Sequence, residues 1–168
     1  NKTTTTGITN GAIRYPRGRG FIKDWKKNYF GKYQKIIIGQ AKCLKTGNRI
    51  AVLSTGTIGN NVIEAIKKTK NPDAFSHYDF AFVKPLDFKL LKAIFMKYDA
   101  VITVEENAIV GGFGSAINQY FLNNKLTILI KNIGISDNFV EQGTVNELQK
   151  ICGIDAESLT KIFDNQAK

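Results

Sequence analysis

From Arg49 onward the chain alternates between two hydrophobic patterns, and few folds accommodate that alternation. "IAVLST" (50–55) is a short continuous apolar run, which marks a strand buried on both faces. "NNVIEAIKKTK" follows, with Val62, Ile63 and Ile66 at helical spacing. "YDFAFV" (78–83) reads as a second strand, broken by Pro85. Asp87 is then placed to cap a helix whose Leu91, Ile94, Phe95 and Tyr98 form one stripe. "AVITV" (100–104) is a third strand, and Ile117, Tyr120 and Phe121 mark the helix after it. "LTILI" (126–130) is a fourth. Thr144 and Glu147 make a capping-box pair ahead of Leu148 and Ile151, and a last short helix carries Leu159, Ile162 and Phe163. Apolar strands joined by helices predict an α/β fold: three α/β/α layers around a mostly parallel sheet. A further strand from residues 33–46 brings the sheet to about five strands.

The totals limit what such a domain can do. With 168 residues there is room for one domain with a real core. Two cysteines, Cys43 and Cys152, and a single histidine, His77, are too few for a Cys/His zinc site or a disulfide framework. His77 follows "DAFS" and opens "HYDFAFV", so it reads as a strand-edge histidine and not as half of a nucleophile pair. No apolar run is long enough to span a bilayer, so no membrane partner is expected. The opening "NKTTTTGITNG" is polar and lacks the apolar core of a signal peptide. The chain reads as a piece of something longer, with the cytoplasm as its default location. The formal charge of +10 invites a nucleic-acid reading. The lysines, however, are scattered along helix faces, as in "IEAIKKTK" and "LLKAIFMKY", with no RNA-binding aromatic signature. Solvated helix faces account for them better, and no nucleic-acid partner is expected.

Three motifs carry candidate chemistry. "VEENAIVGGFGSAINQYF" (104–121) is a strand, a glycine turn and a helix, the setting of phosphate sites. Its spacing fails the dinucleotide fingerprint: Gly112 and Gly114 supply G-x-G, but Ile117 stands where the third glycine belongs. There is no Gly-Lys-Ser/Thr, and Glu105 and Glu106 would repel a phosphate. The loop is therefore read as a packing turn whose glycines permit positive φ and close helix–sheet contact. Adjacent strand residues point to opposite faces, so Glu105 and Glu106 cannot share one proton, and a capping or interface role suits them better. In "STGT" (54–57), Gly56 allows a turn and Thr57 or Asn60 is placed to cap the next helix. In "RYPRGRG" (14–20), three arginines surround Pro16 and two glycines. A guanidinium fork on a fixed turn grips phosphate, but solvent-exposed arginines fit the spacing equally well.

"AIRYPRG", "FVKPLD", "VITVEENAIVGGFGSAINQY", "NIGISDNFVEQGTVNEL" and "GIDAESL" occur in this order between about Gly11 and Phe163. In this order they resemble the 1-deoxy-D-xylulose-5-phosphate synthase family. The resemblance implies that residues 1–20 are the tail end of a pyrimidine-binding domain, 21–46 a connector and 47–168 a transketolase C-terminal-type domain. It implies a parent enzyme that condenses pyruvate with glyceraldehyde 3-phosphate, releasing carbon dioxide, to give 1-deoxy-D-xylulose 5-phosphate. That product feeds isoprenoid, thiamine and pyridoxal synthesis. The implied cofactors are thiamine diphosphate and Mg2+, held by upstream domains in a homodimer, so this piece alone is expected to bind neither and to be inactive. One site residue carries over: Arg17, as a ligand of the glyceraldehyde 3-phosphate phosphate. No catalytic or metal residue does.

The chain departs from the family pattern at three positions. Ala81 stands where arginine is usual, Ser136 where proline is usual, and Gln142 where histidine is frequent. These departures bear on salt bridges at domain interfaces and leave Arg17 untouched. Two other readings compete. One is the C-terminal domain of a 2-oxo acid dehydrogenase beta subunit, and the other is a non-catalytic assembly module.

Overall fold

The computed structural model describes residues 36–167. Five strands form one sheet: β1 (Lys42–Lys45), β2 (Ile50–Thr55), β3 (Phe75–Asp79), β4 (Ala100–Ala108) and β5 (Leu129–Ile135). The order across the sheet is β1-β3-β2-β4-β5. The β2–β3, β2–β4 and β4–β5 pairs are parallel, and β1 runs antiparallel to β3 at the edge. The expected mostly parallel, five-stranded α/β/α sheet is therefore present, and residues 42–45 supply the additional strand.

Five helices cover it: α1 (Gly59–Lys68), α2 (Phe88–Lys97), α3 (Phe113–Asn123), α4 (Val145–Ile151) and α5 (Ala156–Gln166). Alternation along β2 divides the core in two. Ile50 and Val52 pack under α1 and α5 with Val62, Ile66, Leu159 and Phe163. Ala51 and Leu53 pack under α2 and α3 with Leu91, Ile94, Ile117 and Phe121. Successive side chains of a strand point to opposite faces, so a strand apolar at every position must be covered on both. Fully burying each such side chain contributes about 1.5–3 kcal/mol, and these two clusters are the main source of stability.

Caps define several helix starts. The Asp87 carboxylate accepts from Leu90 N at 2.9 Å and also from Ala41 N at 3.1 Å, tying α2 to the segment before β1. At α4, Thr144 and Glu147 form the expected capping box. Every residue of α4 is at least partly exposed, however, and Ile151 faces solvent.

The third expected strand runs on past 104 to Ala108, and two others are displaced from their expected positions. The second strand runs over 75–79 and not 78–83, and the fourth over 129–135 and not 126–130. In both cases the partner sets the limits. Phe75 pairs with Ile50 and Asp79 with Ser54, so β3 starts and stops with β2. Leu129 pairs with Ala100, the first residue of β4. Leu126 and Ile128 instead pack against the α2–α3 core as the chain leaves α3. The earlier β3 start also relocates His77. It lies mid-strand and buried, between β1 and β2, and not at a strand edge.

Candidate functional site

In a doubly wound sheet, ligands bind where neighbouring strands send their connections to opposite faces. Here that point lies between β2 and β4. β2 leads into α1 on one face, and β4 leads into α3 on the other. The turn at 56–58 and the loop at 109–112 flank the crevice.

The anion position at the start of α3 is already filled. Glu105 is 1% exposed, and its two carboxylate oxygens accept from Phe113 N at 2.7 Å and Gly114 N at 2.8 Å. A carboxylate at a helix N-terminus satisfies amides that have no partner within the helix and interacts favourably with the dipole. This is the expected capping role, and it excludes a phosphate by occupancy as well as by charge.

The two jobs expected of the glycines fall to different residues. The positive φ of this loop is at Gly111, at +75°, and not at Gly112 or Gly114. Those two are required by close approach. A Cβ on Gly112 would strike the Ala108 carbonyl and the Glu105 carboxylate. A Cβ on Gly114 would lie 2.6 Å from Thr103 Oγ1 and 2.8 Å from Asn132 Cγ.

Glu106 points to the other face. Its Oε2 accepts from Thr57 Oγ1 at 3.3 Å across the crevice, and its Oε1 accepts from Gln149 Nε2 at 3.0 Å. Asn61 donates to Gln149 Oε1 at 2.9 Å and to the Ile154 carbonyl at 3.1 Å. The chain of polar contacts thus runs from the β2 turn through β4 to α4. Gln149 and Asn61 carry no motif, and nothing in the sequence singles them out; only the fold brings them to Glu106. The expected cap of α1 by Thr57 or Asn60 is absent. Ile58 holds the N-cap position with no side-chain cap, and Thr57 is turned toward Glu106 instead.

His77 contacts Ser54 Oγ through Nε2 at 2.7 Å. Burial pushes its pKa down to about 4, so the ring is neutral near pH 7. Nδ1 has no partner among the described residues, and no carboxylate orients the ring, so the pair is not a catalytic triad. Among the described residues no three His, Cys, Asp or Glu side chains converge on a metal position. No described helix is long and apolar enough to cross a membrane. Ala81, Ser136 and Gln142 are all exposed. Arg17 lies outside the described residues, as do the stretches 1–20 and 21–35.

The comparisons place this chain among proteins that share its mostly parallel α/β/α architecture. The Transketolase, C-terminal domain family matches residues 39–159, and the chain belongs to that family. Within it, the chain is 47% identical over 150 residues to the 1-deoxy-D-xylulose-5-phosphate synthase of Parabacteroides distasonis, covering 89% of this chain and 23% of the relative. It is 38% identical over 155 residues to that of Cytophaga hutchinsonii, covering 92% of this chain and 24% of the relative. The chain thus spans about a quarter of the length of the curated relatives it matches. Among solved structures it is similar to a split-gene transketolase described as an inactive beta4 tetramer. That match has a TM-score of 0.71 and 26% identity, over 79% of this chain and 43% of that one. A transketolase from Campylobacter jejuni shares the fold, with a TM-score of 0.56 and 18% identity over 74% of this chain and 18% of that one.

Proposed function

We propose that this chain is part of a thiamine-diphosphate-dependent, Mg2+-requiring transferase that joins pyruvate to glyceraldehyde 3-phosphate with loss of carbon dioxide, giving 1-deoxy-D-xylulose 5-phosphate. The observation that carries the reading is the 47% identity over 150 residues to an enzyme of that name. Two features support a cofactor site outside this domain: among the described residues no three His, Cys, Asp or Glu side chains converge, and the α3 N-terminus holds Glu105. In this reading the cofactor supplies the carbanion chemistry elsewhere in a cytoplasmic homodimer, and this domain serves assembly.

Arg17 is the residue of this chain assigned to substrate, as the grip on the phosphate of glyceraldehyde 3-phosphate. A charge-assisted guanidinium–phosphate pair contributes about 1.5–3 kcal/mol. That energy acts on the phosphate, remote from the reacting carbonyl, and serves both affinity and positioning.

Two measurements test the proposal. Calorimetry of the isolated chain with thiamine diphosphate and Mg2+ should give no saturable heat, and micromolar binding would refute the division of labour. In the complete enzyme, Arg17→Ala should cut kcat/KM toward glyceraldehyde 3-phosphate by about ten- to a hundredfold, with Arg17→Lys recovering part. Glyceraldehyde without the phosphate is the control. An equal loss with both acceptors would show that Arg17 supports the turn and does not read the phosphate.

A further inference from the structure

Glu106 closes one side of a cavity of about 150 Å³ beside the switch point. Its walls are apolar, from Ile135, Val140, Val145 and Leu148, with the half-buried thiol of Cys152 among them. The cavity is open to solvent on one side, and its volume leaves room for a molecule about as large as benzene. The carboxylate at its rim is partly shielded, yet it receives only neutral donors, Thr57 and Gln149. It forms no ion pair with the described residues. Each carboxylate oxygen has two acceptor positions, so both retain capacity after those two contacts. A half-buried carboxylate facing hydrocarbon favours a cation that brings its own apolar body. The field of the whole chain does not favour cations, because its formal charge is +10, so such binding would be local to this carboxylate.

We infer that this cavity binds a small primary ammonium compound with a compact apolar body. The ammonium pairs with Glu106, and the hydrocarbon lies among Val140, Val145 and Leu148. The inference does not depend on the reaction proposed above, since it concerns a separate ligand on residues that reaction does not use. It is tested on the full 168-residue chain carrying Cys43→Ser, which leaves Cys152 as the single thiol. Benzylammonium, benzyl alcohol and benzoate are titrated at neutral pH and matched ionic strength. The alkylation rate of Cys152 and the backbone amide shifts of residues 145–152 are followed. Benzylammonium at millimolar concentration should slow alkylation and shift those amides, as expected for so few heavy atoms. Benzyl alcohol should need about tenfold more, and benzoate should do neither. Glu106→Gln should bring benzylammonium down to the level of the alcohol. Val145→Phe, which fills the cavity and leaves Glu106 in place, should abolish protection by both. Equal protection by benzoate overturns the inference. So does an undiminished benzylammonium response in Glu106→Gln, or the absence of any response to the amine.

Discussion

Two glycine turns leave the carboxyl edge of the sheet side by side, one after β2 and one after β4, and they start their helices in different ways. The β2 turn relies on backbone geometry alone. Gly56 has φ +81° with open space around its Cα, and α1 begins at Ile58 with no side-chain cap. The β4 turn is packed. Its positive φ is at Gly111, and Gly112 and Gly114 press against a buried carboxylate and the sheet. Equal letters in the sequence thus carry different physical loads, set by what lies against each glycine.

The largest test of that difference is Gly112→Val. The side chain would collide with backbone and with Glu105, so unfolding free energy should fall by about 3 kcal/mol or more in denaturant titration. An unchanged midpoint would show that the β4 loop can open without cost and that the contrast between the turns is illusory.

The second test lies beneath the β2 turn, at His77 against Ser54. The folded pKa of about 4 is below the ordinary 6.5. The unfolded state therefore binds the proton first, and the stability is complete above about pH 6.5. It should be lost as the pH falls toward 4, by about 3 kcal/mol in all. His77→Gln should flatten that part of the pH–stability curve relative to the parent chain. Equal slopes in the two would mean that the ring is protonated at no cost in the folded state.

Glu105→Gln should cost about 2 kcal/mol, because an amide replaces one of two charge-assisted acceptors at the α3 amides. A change in Tm no larger than that of an exposed substitution would reduce Glu105 to a bystander. Smallest of all, Gly56→Ala should cost about 1 kcal/mol through φ alone, since nothing lies near the added methyl. A loss as large as that of Gly112→Val would erase the distinction between a turn and a packed junction.

Much of this molecule is legible in local pattern. The apolar run 50–55 became β2 with its bounds unchanged, because a central strand buried on both faces declares itself by composition. The caps at Asp87 and Thr144 were equally readable, since an oxygen two or three residues ahead of a free amide is a local relation. The opposed directions of Glu105 and Glu106 also follow from strand geometry alone. What the neighbours decide was not readable. Where β3 and β5 begin depends on where β2 and β4 begin. Which glycine takes positive φ depends on how α3 docks. That Thr57 turns to Glu106 and leaves α1 uncapped depends on a strand almost fifty residues away. Periodicity encodes which face of an element is apolar, and it does so within a few residues. Register, close approach and the partner of each buried polar group arise only when distant segments meet, because those are properties of pairs of surfaces and no single stretch of chain contains both.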